Sequence, residues 1–445
     1  AAEEFFHGLG DVAGVAHGVD LITQATPNLL VEETARGGLE DAGHVDRHHL
    51  GPEITVVTGI IAGHVTEVGD EGGVRRRGDA DALQDGIGDG HHHVLAVSEG
   101  DDLLRASIAS AANDFRLGAN EAPPAIISVF IGSYMTDILD EIESKVESGK
   151  FTEEGEQTLR LEIHNKIPAL MQDNTDRNRT SPFAFTGNKF EVRAVGSSQN
   201  CSATMTVLNT IVADQLIAFK KEVDGLITKG KNREVALMEV LKRYITESRN
   251  ILFEGNNYSK EWEEEAARRG LNNVKNTPRA LDFMTTKEGI DLFVRNNVFS
   301  KEEIHARHEI ELEKYIKMVQ IDGRMIAELA LNQIVPAAIQ YQNELINNIR
   351  GMKDIGLDMK LASAQTELVK EISEHVSVIK AKSEAMTEAR KAANNVDDVR
   401  ERAIAYCDKV KPFFDEIRYH TDKLELIVDD KLWPLPKYRE LLFMR

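Results

Sequence analysis

The composition of the chain breaks near residue 101, and that break limits where a packed fold can lie. Residues 1–100 contain no Lys, Met, Tyr, Trp or Cys, a single Ser (Ser98), 18 of the 32 Gly and nine of the 14 His. Glycine interrupts nearly every candidate element there, and the apolar residues, mostly Val, Ala and Leu, keep neither a 3.6 nor a 2.0 period. Glycine loses more conformational freedom on folding than any other residue, so such a segment is slow to commit to helix or strand. Ile54–Ile61 reads as a buried strand and Val94–Val97 as a short one, while the polar, Gly-rich stretch between them reads as unstructured. From Asp101 onward Lys and Glu become common and helical periodicity sets in. Residues 1–101 are therefore read as an atypical Gly/His/Val-rich leader, translated out of frame, from the opposite strand, or spliced in.

Length and charge narrow the classes that remain. At 445 residues the chain has room for two or three domains, each large enough to bury a core. Its formal net charge of −21 argues against a nucleic-acid partner, because counterion release needs clustered Lys and Arg. Cys201 and Cys407 lie far apart and lack metal-ligand spacing, which points to a reducing, cytoplasmic setting. No run approaches the roughly 20 apolar residues of a membrane span, so no membrane partner is expected. His48–His49 and His91–His93 are imidazoles on a flexible segment with no Cys or carboxylate pattern beside them, and are not read as a metal site.

Two segments beyond the break hold chemistry-bearing residues. Arg116–Ala125 (RLGANEAPPA) is a loop with Arg116, Asn120 and Glu121 ahead of a proline pair. Asn188–Val195 (NKFEVRAV) alternates like a half-buried strand, with Lys189, Glu191 and Arg193 on one face and Phe190, Val192 and Ala194 on the other. On residue types alone that charged row is either a solvated strand face or a surface for a metal and an anionic substrate.

The order of the motifs resembles the glutamine synthetase superfamily, which has a Gly-x-Glu-Ala-Pro loop, an Asn-Arg-Ser/Thr segment and a Glu-x-Arg strand in one catalytic domain. Here they correspond to Ala119–Pro123, Asn178–Thr180 and Glu191–Arg193. The wordings RLGANEAPPAI, NRTSPFAFTGNKFE, MTVLNTIVADQ and LWPLPKYRELLF are similar to the type III branch, and the likeness runs across 102–445. It implies ATP-dependent ligation of ammonia to glutamate through a γ-glutamyl phosphate. By this resemblance Glu121 is the flap carboxylate that takes a proton from ammonium, which has no lone pair until deprotonated. Arg116 and Asn120 hold substrate glutamate, while Arg179 and Arg193 neutralise the transferring phosphoryl group. Lys189, with Arg179, contacts the nucleotide, and Glu191 is a ligand of Mg²⁺ or Mn²⁺. Asn200 follows the strand as a family asparagine does. One departure is that Phe183–Phe185 stands where the type I pattern has a second arginine.

The resemblance also defines what residues 1–101 lack. In the family the other metal ligands, an Asn-Gly-Ser-Gly substrate loop, a His-x-His region and a small β-domain lie upstream, and none is legible there. A single carboxylate binds Mg²⁺ no better than a surface glutamate, so the chain alone is expected to be inactive.

The fold expected is α+β: a partial catalytic domain with an antiparallel sheet over 102–300, and a helical region over 301–445. Met205–Phe219 reads as a buried core helix. Ile304, Leu312, Tyr315, Ile316, Val319, Met325, Ile326 and Leu329 form an amphipathic stripe that Pro336 should interrupt. Leu361, Leu368, Ile372, Val376 and Ile379 mark a second long helix, and Ile404–Phe414 a third. The family likeness implies a homo-oligomeric ring. A helical scaffold without catalysis, or a γ-glutamyl-amine ligase of the same superfamily, remain the alternatives. Translation of the DNA upstream of the break in all six frames is expected to reveal synthetase-like sequence in another frame; its absence from all six would refute the leader reading.

Overall fold

The computed structural model describes residues 94–116, 125–132, 135–136, 139–140, 181–185, 190–196 and 199–442. Expectations at Ile54–Ile61, His48–His49 and His91–His93 lie outside the described residues. The chain divides into two compact units, one ending at His305 and the other running from Ala306 onward.

The first unit opens with α1, residues 94–107. The strand expected at Val94–Val97 is therefore helical, and the junction expected at residue 101 falls inside one continuous helix. Its apolar residues are core residues: Val94 and Val97 are buried in the cluster that holds Leu104, Ile127, Ile211 and Ile245. Leu95 is buried on another side, with Val223, Val240 and Tyr244. Gly100 allows α1 to come close, since a Cβ there would stand 2.7 Å from Cγ2 of Ile211. Ser98 Oγ donates to Asn250 Oδ1 at 3.0 Å, and Gln215 donates to Glu99.

Helix α2, Ala111–Arg116, follows, and then a three-stranded sheet. β1 (Val129–Phe130) runs parallel to β2 (Phe183–Phe185), which pairs antiparallel with β3 (Phe190–Val192). The sheet is mixed rather than purely antiparallel. α3 (Ser202–Thr228) and α4 (Arg233–Glu247) pack on it, followed by α5 (Lys260–Arg268), α6 (Thr277–Leu281) and α7 (Lys287–Arg295). The starts of α5, α6 and α7 are fixed by side-chain caps, Ser259, Asn276 and Thr286, each accepting from a backbone N–H inside the first turn.

α3 is less enclosed than its apolar sequence suggests. Val207, Ile211 and Val212 are buried, but Met205 and Ile217 are 46% and 61% exposed. Its inward side also takes Thr204, Thr210 and Gln215, so one stripe rather than the whole circumference is core. Among the described residues it is the one helix long and apolar enough to cross a membrane, by length and composition alone.

The second unit is helical. α8 (Lys301–Leu329) begins in the first unit and runs into the second, burying Ile304, Leu312, Tyr315, Ile316, Val319 and Leu329 as its spacing predicts. Met325 departs from that stripe and is 36% exposed. A π-helical turn, Ala330–Ile334, joins α8 to α9 (Val335–Asp354), and Pro336 occupies the first turn of α9. Proline has no N–H and its ring crowds the carbonyl four residues back; the wider turn absorbs both effects, so the rod continues without a break. The same device recurs between α11 (Val399–Ala405) and α12 (Pro412–Ile427), where Tyr406–Val410 is π-helical and Pro412 follows. There Lys411 N–H donates to the Tyr406 carbonyl, five residues back, at 3.0 Å.

Between these lies α10, Ser363–Asn394, with Ile372 and Ile379 fully buried. Leu361 lies ahead of it in a short 3₁₀ turn, Met359–Ala362, and is exposed. Gln342 pins α9 to α10, donating to the Val369 carbonyl at 2.8 Å and to Ser373 Oγ at 2.6 Å. Tyr406 joins three segments: its hydroxyl donates to Asn394 at 2.6 Å and accepts from Gln320 at 3.2 Å. After α12, the stretch with Pro434 and Pro436 leads to α13, Tyr438–Leu442.

Val97 has no exposed surface, and an aspartate there would be an unpaired buried charge. Val97→Asp is expected to destabilise the first unit by about 3–5 kcal/mol, read by urea denaturation. An unchanged midpoint would mean that α1 is not part of its core.

Candidate functional site

β3 is held from beneath by aromatic stacking. Phe190 lies flat against Phe183, with ring centroids 4.8 Å apart and planes 8° apart, and meets Phe185 at 5.2 Å. The register sets Phe185 opposite Phe190, Ala184 opposite Glu191 and Phe183 opposite Val192. Phe190 and Val192 pack on the core and Ala194 is buried. Strand alternation then sends Glu191 and Arg193 to the other face, as the spacing predicts. Arg193 N–H donates to the Pro182 carbonyl at 2.7 Å, extending the ladder past the strand end.

On that face Arg193 Nη2 donates to Glu191 Oε2 at 3.0 Å, and Nε reaches the same oxygen at 3.4 Å. The side chains are 23% and 37% exposed, so the pair sits at the border between core and surface. A guanidinium in this setting can receive an anionic oxygen while the carboxylate fixes its orientation. Arg116 ends α2, but its side chain is outside the described residues, as are Asn120, Glu121, Arg179 and Lys189. Asn200 is described: its Oδ1 accepts from Ser202 N–H, two residues on, at 2.8 Å just before α3.

The structure adds three anchors that residue-type reasoning passed over. Asn113 is buried, and its Nδ2 donates to the Ile108 carbonyl at 2.9 Å and to the Ala194 carbonyl at 3.1 Å. It thus ties α2, the helix at the start of the RLGANEAPPA segment, to the end of the Glu191–Arg193 strand. Asp114 accepts from Thr277 N–H at 3.0 Å and from Thr277 Oγ1 at 2.7 Å, fixing α2 to the start of α6. Its charge also acts on the buried Arg105, whose Nε donates to the Val274 carbonyl at 2.8 Å; burial is the main influence on Arg105 and lowers its pKa. Ser128 Oγ donates to Ser181 Oγ at 2.9 Å, and Ser181 donates on to the Phe253 carbonyl, pinning the start of the SPFAF segment. The available signal was the adjacent pair Asn113–Asp114 in an otherwise apolar stretch, which reads from sequence as ordinary helix surface.

Among the described residues no group of three or more His, Cys, Asp and Glu is placed to hold a metal ion. Glu191 by itself, already paired with Arg193, is not a divalent-cation site, which calls for several oxygen ligands.

Residues 236–353 match the glutamine synthetase C-terminal domain family. Over those residues the chain carries a glutamine synthetase C-terminal domain. A glutamine synthetase of Bacteroides fragilis (strain YCH46) is 48% identical over 355 residues, covering 79% of this chain and 49% of the relative. A type-3 glutamine synthetase of Dictyostelium discoideum and a glutamine synthetase of Butyrivibrio fibrisolvens are each 36% identical over 355 residues, again covering 79% of this chain. The chain therefore spans about half the length of the curated relatives it matches.

The partial exposure of Glu191 and Arg193 implies a weak structural role for their ion pair. A double-mutant cycle with Glu191→Ala and Arg193→Ala, measured by urea denaturation, is expected to give a coupling below about 1 kcal/mol. A coupling above about 2 kcal/mol would make the pair a structural clamp rather than a face held ready for ligand.

Proposed function

We propose that this chain is the C-terminal portion of a type III glutamine synthetase, an enzyme that ligates ammonia to glutamate at the expense of ATP. The observation that carries the reading is the 48% identity with the Bacteroides fragilis enzyme across 79% of the chain. The arrangement of β3 supports it, because Glu191 and Arg193 share one face and Asn113 brings α2 to the same strand. In this reading residues 94–442 contain the C-terminal part of an α+β catalytic domain and its helical extension. On the same reading the atypical leader, expected from the sequence to end near residue 101, is placed upstream of residue 94, which the burial of Val94 and Val97 in the core supports.

The proposed roles follow from charge and proton balance. Arg179 and Arg193 neutralise the oxygens of the phosphoryl group as it passes from ATP to the γ-carboxylate of glutamate, a step in which charge spreads over planar oxygens that guanidinium donors match. Arg116 and Asn120 orient the glutamate, and Lys189 contacts the nucleotide. Glu121 takes a proton from ammonium, freeing the lone pair that attacks the acyl phosphate and expels phosphate. Glu191 orients Arg193 and is the residue this chain would contribute to a Mg²⁺ or Mn²⁺ site; because one paired carboxylate does not make such a site, the metal's share of the chemistry requires ligands beyond the described residues. The intact enzyme is a cytoplasmic homo-oligomeric ring, and this chain alone is inactive.

Two measurements test the proposal. Purified chain is expected to show no glutamate- and ammonium-dependent ATP turnover above a Glu191→Ala control. Fusion of residues 94–445 to the N-terminal half of the Bacteroides fragilis relative is expected to yield turnover that Glu191→Ala lowers by about 100-fold. A well-folded fusion without ligase activity would refute the functional reading, and turnover by the chain alone would refute its inactivity.

A further inference from the structure

In the second unit α10 and α12 meet at two histidines. His375 on α10 and His420 on α12 bring their Nδ1 atoms to 2.8 Å, with ring centroids 5.0 Å apart and planes at 57°. The His375 side chain is only 13% exposed. A contact of 2.8 Å between imidazole nitrogens is a hydrogen bond, which needs a proton on one nitrogen and a lone pair on the other. At least one of the two rings is therefore neutral while the contact holds.

We propose that the His375–His420 pair is a pH-sensitive clasp between α10 and α12, closed while the two Nδ1 atoms share one proton and released when both rings are protonated. Once both are imidazolium, each Nδ1 is a donor and neither accepts. The bond is lost and two like charges face each other across the helix contact.

The surroundings leave the outcome to the pair itself. On α10, Glu371 lies 3.8 Å from His375 Nε2, the nitrogen that does not face His420. Glu416 on α12 favours the charged form of His420 and Lys382 on α10 opposes it; the two are ion-paired with each other, so their influences offset. From α9, Gln342 and Asn348 hydrogen-bond to α10, and both are uncharged. The π-helical turn Ala330–Ile334 (ALNQI) has no ionisable side chain. Tyr419 sets its ring at 89° to that of His420, with centroids 5.1 Å apart. Among the described residues no third ligand joins the two rings, so the geometry is that of a shared proton rather than a metal centre.

Burial, and after it the neighbouring His375, lowers the pKa of His420. The folded state thus binds fewer protons at this ring than the unfolded state. The stability it confers is present above the unfolded histidine value of about 6.5 and is lost as pH falls below it.

The test compares the wild-type chain with His420→Gln and His375→Gln, since an amide can keep a hydrogen bond without titrating in this range. Thermal unfolding followed by helical circular dichroism at pH 7.5 and pH 5.0 is expected to show a larger acid-induced drop for the wild type, by about 2–4 °C over either variant. Equal drops in all three chains would overturn the clasp. If one variant does not fold, the other still reports, and ¹⁵N-imidazole NMR of the wild type gives a second readout. One ring staying neutral well below pH 6.5 supports the clasp, and two rings titrating independently near the ordinary value refute it. Zn²⁺ that raises the wild-type midpoint but neither variant's would identify a metal site instead and also refute it.

Discussion

The stacking of Phe190 on Phe183 fixes the orientation of everything on β3. A strand in a small sheet has only two faces, and burying one of them determines the other. With Phe190 and Val192 on the core side, Glu191 and Arg193 cannot turn inward without a register shift that would expose two apolar side chains. The charged face is thus a consequence of the apolar one, and the ion pair contributes orientation rather than cohesion. Asn113 transmits this order to α2, because its amide spans the Ile108 and Ala194 carbonyls and would be left unsatisfied if the helix moved.

The alternation that organises β3 was legible in the sequence because a period of two needs only a few residues to declare itself. The long helices of the second unit were legible for a similar reason: their apolar stripes persist over many turns, and Leu312, Tyr315 and Val319 are buried where spacing puts them. The role of Pro336 was only half legible. A proline announces a lost hydrogen bond, but not that a π-turn will widen the preceding helix and keep the rod continuous. Tyr406–Val410 and Pro412 repeat that solution, which suggests a general way for a long helix to pass a proline without bending away from its partner.

What the sequence concealed was α1. Residues 94–100 belong by composition with the Gly-rich segment before them, and a four-residue apolar run such as Val94–Val97 does not distinguish strand from helix. Burial on two sides explains the missing period: Val94 and Val97 enter one cluster and Leu95 another, so no polar face was needed. Gly100 looked like one more helix-breaking glycine, whereas in the structure it is where Ile211 comes too close for any side chain. The break in composition is thus not a boundary of the packed core, since α1 runs through it. Asn113 and Asp114 escaped for a related reason, since their partners Ala194 and Thr277 lie 81 and 163 residues away and local pattern has no reach over that distance.

The scaffold around β3 and the chemistry on its face depend on different things. Phe183 and Ile211 are buried in one core that draws on α1, α3 and the α4 residues Leu241 and Ile245. A metal site obeys a different rule, because the affinity of a hard cation depends on how many oxygens converge on it, and one paired glutamate supplies too few. Folding needs only a core that buries enough apolar surface, whereas multi-ligand chemistry fails when too few of its ligands converge. A chain spanning about half the length of its relatives can therefore present Glu191 and Arg193 on a well-packed strand, while any metal chemistry on that face depends on how many further oxygens converge there.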